Sequence, residues 1–88
     1  MYDRVHTIGY LQTVTRTFED FKYIYEASAY FRASSTSFYL YTCDRDMVNI
    51  NTYTGAKIAG FPADNQVTVY CAANNSYWVY YMITGILV

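Results

Sequence analysis

The chain has 88 residues, 6 basic against 7 acidic side chains, and a formal net charge of −1, with 53% apolar and only 15% charged residues. A nucleic-acid binder relying on a Lys/Arg surplus is excluded, and so is an acidic mimic of nucleic acid. Tyrosine fills 12 positions, so apolar and aromatic surface, not charge, has to carry whatever recognition the chain performs.

Met1-Tyr2-Asp3-Arg4-Val5-His6 contains no long apolar stretch, so no secretory leader is expected there. Arg4 to Val14 reads as a first strand, rich in Val, Ile, Thr and Tyr, with Gly9 marking a bulge or a close backbone approach. The period then changes. Phe18, Phe21, Ile24, Tyr25, Ser28 and Phe31 recur at spacings of three and four, the stripe of an amphipathic helix from about Phe18 to Ala33. Thr17 with Asp20 resembles a capping box, Glu19 and Asp20 suit the positive end of the dipole, and Lys22 and Glu26 are spaced to pair. A competing strand reading exists, because Phe21 to Tyr25 also alternates.

A meander follows. Phe38 to Cys43 is a strand, and Asp44-Arg45-Asp46 is a polar turn. Met47 to Tyr53 is a strand with Val48 and Ile50 on one face and Asn49 and Asn51 on the other; Thr54-Gly55 is a hairpin signal. Ala56 to Phe61 returns, Pro62 to Asn65 is a loop, and Val67, Val69 and Cys71 alternate with Thr68, Tyr70 and Ala72. After Asn74-Asn75 the last strand runs from Tyr77 to Ile83, or on to Ile86. That run is apolar but far short of the roughly 20 residues a spanning helix needs, so no membrane partner is expected. The expected product is one α+β domain over residues 1–88, with an N-terminal strand and one helix on a mostly antiparallel sheet of four to six strands.

An all-β alternative rests on a likeness. Phe38 to Pro62 (strand, acidic turn, strand, Asn51-Thr52-Tyr53-Thr54-Gly55, strand) resembles a blade repeat of β-propellers. The resemblance implies blade-like hairpins and, because a closed propeller takes at least four blades, several copies of the chain.

Catalytic motifs are scarce. His6 is the single histidine, so no histidine pair can hold a metal within one chain. No G-x-S-x-G elbow presents a serine, and nothing local joins His6 to Cys43 or Cys71. The four glycines are scattered, so there is no phosphate loop, and the Asp44–Asp46 turn lacks the glycine and glutamate of a calcium loop while carrying Arg45. Aromatics on a sheet can stack nucleic-acid bases, but only Arg45 and Lys57 are basic after Phe38, so no nucleic-acid partner is expected. No cofactor and no enzyme activity are expected. Cys43 and Cys71 form no C-x-x-C pair and read as free thiols of a reducing cytoplasm.

The last strand is the most informative. Tyr77, Val79, Tyr81 and Ile83 lie on one face and Trp78, Tyr80 and Met82 on the other, so both faces are large and apolar. Phe38 and Leu40 oppose Tyr39 and Tyr41 in the same way. Grouping Tyr39, Tyr41, Tyr70, Trp78, Tyr80 and Met82 as one aromatic face gives a surface suited to a protein partner, foremost a second copy of the chain. The function expected is a non-enzymatic protein–protein interaction module, of a size suited to a small inhibitor or adaptor of the kind phages encode. The alternative is a small-ligand module stacking a sugar or nucleotide on the same aromatics. The bland reading is that this face is ordinary core under the first strand or a curled sheet.

Overall fold

A computed structural model describes residues 2–33, 38–47 and 55–88, with the backbone alone at 2–5 and 38. The described chain contains seven strands and no helix: β1 (Tyr2–Ile8), β2 (Thr13–Thr17), β3 (Phe21–Arg32), β4 (Phe38–Asp44), β5 (Ala56–Gly60), β6 (Gln66–Cys71) and β7 (Tyr77–Leu87). They form a four-stranded sheet in the order β1-β7-β3-β4 and a three-stranded sheet in the order β2-β6-β5. Every pairing is antiparallel. The fold is a two-layer β structure with its core between the sheets.

The expected α+β fold is therefore corrected, and the all-β alternative holds. The segment assigned to a helix is the turn Phe18–Phe21 followed by the 12-residue strand β3. Its buried residues Phe21, Ile24, Ala27, Ala29 and Phe31 explain the misleading period. The register of β3 against β7 shifts between Phe21 and Tyr23 and again between Ile24 and Glu26. Each bulge inserts one residue on the bulged strand, stretching a two-residue repeat to three. Two bulges in succession thus imitate a helical stripe, until Ala27, Ala29 and Phe31 resume strict alternation. Aromatic and β-branched residues in Phe21-Lys22-Tyr23-Ile24-Tyr25 favour the strand.

The single first strand is also corrected. It divides into β1 and β2 at a turn where Gln12 N–H donates to Gly9 O (3.0 Å) and Gly9 N–H to the Gln12 Oε1 (2.6 Å). Leu11 takes a left-handed φ of 60° there and stays exposed. The Asp44–Asp46 turn is as expected: Met47 N–H bonds Asp44 O at 3.0 Å and Asp46 N–H bonds the Asp44 carboxylate at 2.9 Å. Met47 itself closes this turn at φ 62° rather than opening a strand. The remainder of the Met47–Tyr53 strand and Thr54 of the hairpin signal lie outside the described residues. β4 and β5, the described strands of the blade-like stretch, sit in different sheets, unlike the single sheet of a propeller blade.

Inside the four-stranded sheet, large and small residues alternate across the strands. Ala29 lies between Tyr81 and Tyr41, and Ala27 between Ile83 and Cys43. The two alanines leave room for the neighbouring rings, which meet Ile58, Val67 and Val69 of the other sheet in one core. Tyr81 is fully buried, yet its hydroxyl donates to His6 Nε2 at 2.7 Å. Left without a partner, that hydroxyl would cost about 1–3 kcal/mol. Phe18 packs edge-on against the same ring at 5.2 Å. Arg45 ties the sheets together from the rim. Its guanidinium donates to Ile24 O of β3 and to Ala63 O and Asp64 O of the β5–β6 loop, and lies 4.4 Å over the Tyr23 ring.

Candidate functional site

Alternation along β3, β4 and β7 fills one face of the sheet with core and leaves the other outward. The register then decides which outward residues meet. Arg32 of β3 stands beside Trp78 of β7. In the next row Tyr80, Tyr30 and Leu40 lie across β7, β3 and β4, and in the row after it Met82, Ser28 and Thr42. Thr84, Glu26 and Asp44 form the last row. Thr7 of β1 adjoins Trp78 on the near side.

Across β7, β3 and β4 this face is apolar through its middle. Trp78 and Leu40 are each 47% exposed and Met82 is 55% exposed, while Tyr30 and Tyr80 are partly buried against each other, edge to face at 5.7 Å. The Ser28 and Thr42 hydroxyls share a 2.9 Å hydrogen bond, so this pair presents a low, self-satisfied surface. On β3 and β4 charge stands at the ends, with Arg32 at one and Glu26 opposite Asp44 at the other, while Arg4 of β1 pairs in register with Tyr80.

Of the six residues grouped from the sequence, the structure brings Trp78, Tyr80 and Met82 together on this face. Tyr39 and Tyr41 point the other way. Tyr41 is in the core, and Tyr39 packs on the Tyr77 ring at 6.1 Å. Burial is also what raises the Tyr41 hydroxyl pKa above its ordinary value, with Cys43 adding to it. Tyr70 is outward on the three-stranded sheet, with Lys57 Nζ 6.0 Å from its ring centre. Sequence grouping missed Tyr30 and Leu40. Alternation in the sequence sets Leu40 opposite Tyr39, as the structure does, but linking it to Trp78 needs β3 as the intervening strand, where the sequence period suggests a helix. The strand alternation of Ser28, Tyr30 and Arg32 was the available signal.

The remaining chemistry-bearing groups are built into the fold. His6 Nδ1–H donates to Thr7 O at 3.0 Å and Nε2 accepts from Tyr81. Partial burial holds its pKa below the ordinary value, against the Thr7 hydrogen bond and with a smaller contribution from the Arg16 charge. Cys43 and Cys71 are free and buried. Burial, then the nearby Asp44 and Glu26 charges, pushes the Cys43 thiol up to about 11, and burial raises Cys71 as well. A thiol held protonated is a poor nucleophile. Among the described residues no three His, Cys, Asp or Glu side chains gather into a metal-binding set. No helix among them is long and apolar enough to cross a membrane.

Comparison with protein-family models gives no match, and comparisons with curated proteins and with solved structures give none either.

Proposed function

We propose that the chain is a protein-interaction module, not an enzyme, and that it docks a protein surface on the outer face of its four-stranded sheet. The observation that carries this reading is the contiguity of Trp78, Tyr80, Met82, Tyr30 and Leu40 across three neighbouring strands. Outward alternate positions of a solvated sheet ordinarily carry polar residues. Trp, Tyr and Met are the types enriched in interface cores, where they supply large, stiff contact area at low entropic cost. A small molecule ordinarily needs a concave pocket, and the pocket at Phe21, Ile83, Thr84, Gly85 and Leu87 is not lined by these five side chains. An inhibitor or adaptor role would run through this same face. Two buried thiols suit a reducing compartment such as the cytoplasm.

Trp78 is the single tryptophan and sits on the platform, so its fluorescence reads coverage directly. The expected result is a blue shift as protein concentration rises or a protein partner is added, and no response to free sugars or nucleotides. A saturable response to a sugar or nucleotide would overturn the reading in favour of a small ligand.

A further inference from the structure

Resting on that reading, we infer that the occupant of the face is a second copy of this chain, related by a two-fold axis that runs across the strands. Two features select this arrangement. The first is charge. Glu26 and Asp44 are direct cross-strand neighbours at one end of the face, and Arg32 lies at the other end of β3. At about 3.3 Å per residue, Glu26 and Arg32 are roughly 20 Å apart. Two neighbouring carboxylates attract an arriving guanidinium, whatever bonds they make within their own chain. Two sheets stacked face to face can be related by an axis along the strands or across them. An axis along the strands lays each acidic end over the other. An axis across them reverses strand direction and lays Arg32 of each copy over the acidic end of its partner. A closed two-fold interface requires this self-complementarity.

The second feature is shape. Centred between Glu26 and Arg32, the same axis lays the bulky row Tyr80–Tyr30–Leu40 over the row Met82–Ser28–Thr42, where two of the three side chains are small. Trp78 then falls over Thr84 of the partner's β7. Bulk meets space where Tyr30 falls over Ser28, Leu40 over Thr42 and Trp78 over Thr84, as close packing favours. Four strands at about 4.8 Å spacing and roughly 20 Å of length make a platform of about 400 Å² in projection. That is below the ~800 Å² per partner of a standard stable interface, so the dimer is weak and concentration-dependent.

Sedimentation equilibrium of the full chain up to high micromolar concentration tests this, with Arg32→Glu, Glu26→Arg, the double variant and Trp78→Glu run alongside. The expected result is a dimer that each single charge reversal weakens on the order of tenfold and that the double reversal restores. Circular dichroism on each variant separates loss of association from loss of fold. A dimer broken by Trp78→Glu but indifferent to both charge reversals would overturn the axis while keeping the face. A dimer indifferent to all of them would overturn both this inference and the proposed function. A strict monomer would overturn self-association alone, leaving the face to a different protein.

Discussion

On the outside of the three-stranded sheet, Thr13, Thr15 and Thr17 of β2 lie beside Tyr70, Thr68 and Gln66 of β6. Thr15 and Thr68 share a 2.7 Å hydrogen bond across the strands, and Gln66 Nε2 donates to the Thr17 hydroxyl at 3.0 Å. At the corresponding outward positions of the four-stranded sheet stand Trp78, Tyr80 and Met82 beside Arg32, Tyr30 and Ser28. Both sheets follow one rule, inward apolar and outward whatever remains. The β2–β6 face is furnished for water, with β-branched hydroxyl residues that suit an extended backbone and satisfy one another. The β7–β3 face fills its outward positions with large apolar groups, of which Trp78 and Met82 are about half exposed. What separates the proposed docking surface from the solvent surface is therefore the outward half of each strand, since the inward halves are alike.

Several substitutions put this contrast at risk, and the largest effect belongs to the inward half of β7. Tyr81→Ala removes a fully buried ring and its bond to His6. It is expected to cost about 3–5 kcal/mol in urea unfolding. Trp78→Ala, three residues earlier and outward, is expected to cost under about 1 kcal/mol in the dilute protein. If the two losses were equal, the outer face would be core and the contrast would fail. Next comes Gly85→Ala. A Cβ there would sit 2.2 Å from the Tyr23 carbonyl oxygen and 2.9 Å from the Ile24 Cα. Only backbone movement at the β3 bulges relieves this, and the expected loss is about 1–3 kcal/mol by thermal or urea unfolding. Arg45→Ala removes donors to three backbone carbonyls and the stack on Tyr23. Hydrogen exchange should show faster opening of the β5–β6 loop, and stability should fall by about 2 kcal/mol.

The smallest effect is a pH dependence. The folded pKa of His6 lies below its unfolded value, so the unfolded chain binds the extra proton first as pH falls. The corresponding stability is present above the unfolded pKa, about 6.5, and is lost as pH falls through the lower folded value. His6→Gln should flatten this part of the stability profile measured from pH 7 downward. A profile identical in the variant would mean that His6 is not the titrating group.

The strands that alternate without interruption were legible in sequence. β6 and the start of β7 separate their faces residue by residue, and the turns at Asp44–Asp46 and Pro62–Asn65 are marked by side chains with local reasons to turn. β3 was not legible, because its bulges are responses to partners. Ile24 N–H reaches out of the ladder to Asp64 O at 2.8 Å, a residue 40 positions away in the chain. No local pattern records that bond, and the three-residue spacing it helps to produce is the spacing of a helix. The candidate face inherited the same difficulty. Trp78, Tyr80 and Met82 could be grouped from one strand, but their neighbours on β3 and β4 depend on a register that only the assembled sheet defines. Alternation puts Tyr39 and Tyr41 on one face of β4 and Leu40 on the other, but it does not say which face is outward; in the folded sheet that is Leu40.

β7 follows every other described strand in chain order, yet it occupies an interior place between β1 and β3. Its pairings with β1 join residues as distant as Tyr2 and Met82. Such long closures make for slow folding. They also set a timetable. As the polypeptide leaves the ribosome, Tyr30 and Leu40 emerge well before Trp78, Tyr80 and Met82, and the platform does not exist until β7 has been synthesised and inserted. If copies pair through this face as proposed, assembly is coupled to completion of the strand order, because a chain without β7 lacks the surface through which it would associate.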